Sequence, residues 1–186
     1  MILPIVAYGD PVLKKKANDI DPQDNSLDLK ALIENMFETM YAASGVGLAA
    51  PQIGLSLRLF VVDAEPMDEQ NLKGFKKVFI NPQIIEEQGN AWAFEEGCLS
   101  IPHIRENVER LPKIKIKYFD ENWQPQEAEY DGMAARVIQH EYDHIEGILF
   151  TDHLSSFKKT MLRKRLSSIS NGQVKADYKM KFYHKK

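Results

Sequence analysis

His140-Glu141-Tyr142-Asp143-His144 forms the pattern H-E-x-x-H inside a run that reads as helix. Residues four apart share a helix face, so both imidazoles can reach one ion with the Glu141 carboxylate beside them. Two nitrogen ligands next to a base suit metal-assisted hydrolysis. Two histidines at this spacing also suit an ordinary polar helix face. The surrounding period favours the metal: Met133, Ala134, Val137, Ile138, Glu141 and Ile145 recur at helical intervals, with Asp131 placed to cap the start and Gly147 the end.

A catalytic site of this kind needs a third protein ligand and one open position. The longer pattern H-E-x-x-H-x-x-G-x-x-H fails, because Gly147 is in place but Phe150 holds the last ligand position. A glutamate from a later helix fails too, since none follows Glu146. His153 lies beyond the face shared by His140 and His144 and reads as a surface histidine. Cys98 is the only cysteine and cannot form an internal disulfide. A lone cysteine is more often a small buried hydrophobe, but in Glu96-Gly97-Cys98-Leu99-Ser100 a thiolate can be presented on a strand edge. Thiolate and two imidazoles would complete a three-ligand shell. One sulfur with two nitrogens suits zinc or ferrous iron.

The elements that must carry these residues are partly visible. Leu29, Leu32, Ile33, Met36, Phe37 and Met40 mark an amphipathic helix opened by Ser26 or Asp28 and ended near Ser44-Gly45. The small residues from Gly45 to Gly54 predict a loop whose backbone can approach a ligand closely. Strands are expected at Ile2 to Ala7, Leu57 to Val62 and Val78 to Ile80, the last closed by Asn81-Pro82. Ile84-Ile85 opens a further one, and Lys113 to Tyr118 alternates as a strand with one wet, cationic face. Phe157, Met161, Leu162, Leu166 and Ile169 mark a final helix stopped by Asn171-Gly172, and Val174 to Phe182 alternates with period two. Strands ahead of the main helix, with few helices and no regular strand-helix alternation, predict an α+β fold: a compact single domain over residues 1–186 with mainly antiparallel strands packed around the H-E-x-x-H helix.

The totals bound the function. With 186 residues, 44% of them hydrophobic, the chain is sized for one domain. Twenty-four basic residues against 27 acidic ones give a net charge of -3, which offers no global attraction to DNA or to an acidic membrane. No apolar run reaches membrane-spanning length, and the first residues are too short for a signal's hydrophobic region, so a cytoplasmic protein is expected. The average conceals a basic C-terminal extension. Residues 157–186 hold ten Lys or Arg against Asp177 alone, a charge that suits structured RNA or a solvated face equally.

Three motifs in order together resemble the peptide deformylase family over approximately residues 1–155: Gly45-Val46-Gly47-Leu48-Ala49-Ala50-Pro51-Gln52, Glu96-Gly97-Cys98-Leu99-Ser100, and Gln139-His140-Glu141-Tyr142-Asp143-His144. The one departure in the last motif's context is Ile145, where leucine is common. The resemblance implies removal of the formyl group from the formyl-methionine of nascent polypeptides, by attack of metal-bound hydroxide. It implies Cys98, His140 and His144 as ligands of one divalent ion, typically Fe2+, with Zn2+, Ni2+ or Co2+ able to replace it. It further implies Glu141 as general acid/base, Gln52 and the Leu99 N–H as oxyanion donors, and Val46, Gly47, Glu96 and Arg105 as residues lining or gripping the substrate. The basic extension adds a possible ribosome contact. Two rival readings are a zinc endopeptidase and a metal-stabilised RNA-binding protein.

Overall fold

Five residues in a row, Leu59 to Asp63, set the layering of the molecule. In the computed structural model, which describes residues 1–24 and 26–183, Leu59, Phe60, Val61 and Val62 are all fully buried. Leu59 and Val61 join one hydrophobic cluster and Phe60 and Val62 another. Successive strand residues face opposite sides, so this strand must be covered twice, and two helices do so.

The strands are β1 (Ile5–Val6), β2 (Gly47–Ala49), β3 (Leu59–Asp63), β4 (Lys76–Gln88), β5 (Trp92–Cys98), β6 (Ile101–Arg110), β7 (Lys113–Phe119), β8 (Pro125–Asp131) and β9 (Met180–Lys181). The helices are α1 (Leu29–Ala42), α2 (Gly132–Ile145) and α3 (Ser156–Ser170). An antiparallel sheet runs in the order β2-β3-β4-β7-β8; β5 and β6 form a separate antiparallel pair, and β1 and β9 a short parallel one. Helix α1, capped by the Asp28 carboxylate on Ala31 N–H at 3.0 Å, packs Leu32, Ile33, Met36, Phe37 and Met40 on the Leu59/Val61 side. Helix α2 covers the other side with Ala135, Val137, Ile138 and Ile145 against Phe60, Phe79, Ile114 and Ile116. A third cluster joins Ile101, Ile104 and Val108 of β6 to Leu162, Leu166 and Ile169 of α3. The α+β class and mainly antiparallel strands around the H-E-x-x-H helix are therefore present as expected. No helix among the described residues is long and apolar enough to cross a membrane.

Several local expectations change. The segment from Gly45 to Gly54 contains the edge strand β2 and a 3-10 turn over Ala50–Ile53, because Gly47 to Ala49 find ladder partners in Val62 to Phe60. Asn81-Pro82 does not close a strand: β4 runs through it, with Asn81 at φ 48° and a register shift between Ile80 and Gln83. A bulge is where a strand tolerates proline, and the Pro82 carbonyl accepts instead from Arg58 Nη2 at 2.8 Å. Strands β6 and β8 were not expected. Asp131 makes no side-chain cap on α2, because it is the last residue of β8 and the chain turns straight into the helix through Gly132 at φ 54°. In α3 the buried stripe is Leu162, Leu166 and Ile169, whereas Phe157 and Met161 are 73% and 67% exposed. From Val174 to Phe182 inner and outer residues do alternate in burial, but only Met180–Lys181 pairs as strand, against β1. Lys185 and Lys186 of the basic extension lie outside the described residues.

Candidate metal centre and active site

Helix α2 and the end of β5 bring the chemistry together. His140 and His144 stand one turn apart, their ring centroids separated by 5.2 Å. Cys98 closes β5 where its pairing with β6 shifts register, and its sulfur lies 3.4 Å from His144 Nε2. One ligand atom from each of Cys98, His140 and His144 falls within 4.8 Å of the others. Ligands bonded at about 2.0–2.3 Å around a tetrahedral ion are spaced on this scale, so the three fit a divalent cation. His153 is not among them: its Nε2 bonds Asp143 Oδ2 at 2.8 Å. Phe150, at the ligand position of the longer motif, stacks on the His140 ring at 6.2 Å.

Of these three residues, His140 is held from behind. His140 Nδ1 bonds Glu96 Oε2 at 2.9 Å, which leaves Nε2 for a metal. Glu96 lines the cavity, but its carboxylate is turned inward. It accepts from Arg110 Nε at 2.7 Å, Arg110 Nη2 at 3.0 Å and Arg136 Nη1 at 3.0 Å. Arg110 continues to Asp143 Oδ2 at 2.8 Å. With its oxygens so engaged, Glu96 contributes to the cavity wall while its carboxylate is committed to His140 and the two arginines. Arg110 and Arg136 were missed in the sequence. Arg136 carried one signal, its place four residues before His140 on the same helix face; Arg110, inside a strand, carried none.

Burial works against the charge on Glu96, yet hydrogen bonds from His140 and Arg110 outweigh it and hold the carboxyl well below the usual range. Glu96→Ala leaves the buried Arg136 without its anion and Arg110 with Asp143 alone, a loss of about 3–5 kcal/mol in stability. Because the folded-state pKa lies well below the ordinary 4.5, this contribution is present in full above that pH and is lost progressively as the pH falls from there through the depressed folded-state value. Melting curves of wild type and variant should therefore diverge at pH 7 and converge in acid.

Glu141 lies beside this group, buried, with Oε2 lacking a protein hydrogen-bond partner among the described residues. Burial pushes its carboxyl up to about 7. Burial, with the charge of His140 next to it, pushes His144 down to about 3, so its lone pair is free at neutral pH. Burial opposes charge on His140 as well, but Cys98 and Glu96 raise its pKa well above the usual value, so cation binding must displace a proton there. Gln52 is buried; its Oε1 accepts from Ala49 N–H at 2.9 Å, and Nε2 points to Cys98 Sγ at 3.5 Å and Ser100 Oγ at 3.4 Å.

A cavity of about 470 Å³ opens onto this group, lined by Val46, Gly47, Gln52, Leu99, Arg105 and Glu141, among others. Arg105 sits at its exposed rim, paired with Glu95 Oε2 at 2.9 Å. The Gly47 backbone packs closely on the Glu141 carboxylate: a Cβ there would stand 2.7 Å from Glu141 Cδ. Gly47→Ala is thus expected to displace Glu141 and lower kcat by roughly 100-fold with little change in melting temperature. A crystal structure of the variant with Glu141 unmoved would contradict that cause.

The comparisons agree with this geometry. The family model for polypeptide deformylase matches residues 2–160. A peptide deformylase of Christiangramia forsetii is 59% identical over 191 residues, covering 98% of this chain and 96% of its own. One from Cytophaga hutchinsonii is 56% identical over 186 residues, covering all of both chains. The solved structure of a peptide deformylase from Legionella pneumophila superposes with a TM-score of 0.80 at 42% identity, covering 93% of this chain and 98% of that one. Motifs, fold and full-length similarity converge, and the chain belongs to the peptide deformylase family.

Proposed function

We propose that Cys98, His140 and His144 hold one divalent metal ion and that Glu141 moves the proton as the formyl amide is hydrolysed. The activity is that of the family: removal of the N-formyl group from nascent peptides. The observation that carries the assignment is one thiol and two imidazoles within 4.8 Å, next to a buried carboxylate and open to a cavity. A divalent cation held there supplies Lewis acidity, lowering the pKa of water and polarising a carbonyl. The remaining work falls to the chain. Glu141 takes a proton from the attacking water and returns it to the departing amine, so one carboxylate serves both steps. Gln52 Nε2 and the Leu99 N–H are assigned to the charge that grows on the formyl oxygen; a donor so placed is worth on the order of 100-fold or more in rate. Val46 and Gly47 form a narrow wall beside Glu141 that suits a formyl group, whose carbon bears only hydrogen.

The donor set suits ferrous iron or zinc, and we assign Fe2+ as the working ion. Metal analysis of protein purified without oxygen, with paired assays on a formyl-methionyl peptide and on an internal peptide bond, tests the whole reading. Cleavage of the internal bond alone would replace it with the endopeptidase. We further assign the chain to the cytoplasm as one catalytic domain over residues 1–186, with a basic extension that contacts the ribosome. Helix α3 supports this contact by exposing Phe157 and Met161 among Lys159, Arg163 and Lys164, although Lys158 is engaged with Glu106 at 2.6 Å. Binding to ribosomes should weaken steeply with salt. Unchanged affinity on reversing the charge of Lys159, Arg163 and Lys164 would remove the assignment.

A further inference from the structure

The turn that presents Cys98 is fastened by both ends of the chain. Tyr8 N–H donates to the Ser100 carbonyl at 2.8 Å, two residues beyond β1. Tyr178 OH donates to the Leu99 carbonyl at 2.7 Å, two residues before β9. Strands β1 and β9 pair with each other, Ile5 N–H to the Lys179 carbonyl at 2.8 Å and Ala7 N–H to the Lys181 carbonyl at 2.9 Å. The two anchors are therefore tied together behind the turn. On the opposite side Leu99 is packed against Gly45, where an added Cβ would meet Leu99 Cδ1 at 2.8 Å.

The segment carrying Tyr178 also borders the cavity, through Ala176, Asp177 and Tyr178. His103 Nε2 meets the Lys175 carbonyl at 2.6 Å and holds that segment along β6. This stretch lies beyond residue 160, where the match to the family model ends.

We propose that Tyr178 is a positioning residue for deformylation, and that the segment from Gln173 to Phe182 is a strap forming one wall of the substrate cleft. Fixing the Leu99 carbonyl fixes the torsion of the residue that follows the ligand Cys98. The Leu99 N–H, to which the proposed function assigns an oxyanion role, is then carried by a turn that cannot swing. Donors preorganised in this way act without reorganisation during the reaction. The role of Tyr178 rests on that assignment; the strap's contacts do not.

Tyr178→Phe removes the hydroxyl and keeps the ring. Its kcat on a formyl-methionyl peptide, expressed per bound metal, should fall roughly tenfold with KM within about twofold, since misplacement of a donor acts on the transition state. A packing role alone would leave that split unmoved. Amide exchange of the peptide spanning Glu96 to Ile101, measured on the same full-length proteins, should quicken in the variant. Equal kcat in wild type and variant overturns the positioning role, and equal exchange overturns the fastening. If the wild type itself releases no formate, the functional reading fails, and the exchange measurement still decides whether Tyr178 holds the turn.

Discussion

Glu141→Gln is expected to abolish deformylation by about 10³-fold or more while the protein stays folded and retains its metal. General acid–base groups contribute typically 10²–10⁴-fold, and this carboxylate is assigned two proton transfers in one turnover. The substitution keeps shape and volume, and Glu141 is not among the proposed metal ligands, so metal content should be unchanged. Stability moves the other way in metal-free protein. Burial raises the Glu141 pKa from 4.5 to about 7, so the folded state resists its ionisation and loses stability as the pH rises through that window. The glutamine variant lacks this penalty and should melt higher than metal-free wild type above pH 7, by as much as roughly 3 kcal/mol. Formate release together with chelator-treated melting curves at pH 5 and 8 checks both halves. A variant that turns over normally would remove Glu141 from the reaction.

Cys98→Ala is expected to have an effect as large by a different route. Substitutions behind a metal ligand typically cost 10–100-fold in affinity or activity, so loss of a ligand itself should weaken binding by on the order of 100-fold or more. Turnover should fall in proportion to bound metal. The fold should survive, since Cys98 is only partly buried and the turn retains its bonds from Tyr8, Tyr178 and Gln52. Elemental analysis separates this from the Glu141 case: one variant keeps the ion and loses the chemistry, the other loses the ion. Wild-type metal content in the Cys98 variant would show that sulfur is not a ligand.

Whatever depended on short-range period was readable before the fold was known. In α2 the two histidines and the apolar stripe obey the same 3.6-residue repeat, so His140, Glu141 and His144 could be placed on one face directly. Asp28 capping α1, the doubly buried β3 and the wet face of β7 were visible for similar reasons. The sequence was silent where a residue's role is set by a distant partner. Asn81-Pro82 looks like a stop until Arg58 takes the Pro82 carbonyl and a bulge absorbs the ring. Phe157 and Met161 look like core, yet the stripe that packs is rotated to Leu162, Leu166 and Ile169. Glu96 could be found from its motif but not its task, which follows from Arg110 of β6 and Arg136 and His140 of α2 converging on its carboxylate. The period-two pattern after Val174 correctly gave inner and outer faces. It could not say that the inner face closes on the Cys98 turn.

X-ray absorption at the metal edge, on protein purified without oxygen, tests the account most directly. It should show one sulfur and two imidazole nitrogens around a single ion, with the shell completed by an exchangeable oxygen from solvent. A shell without sulfur, or one closed entirely by protein atoms, would contradict it.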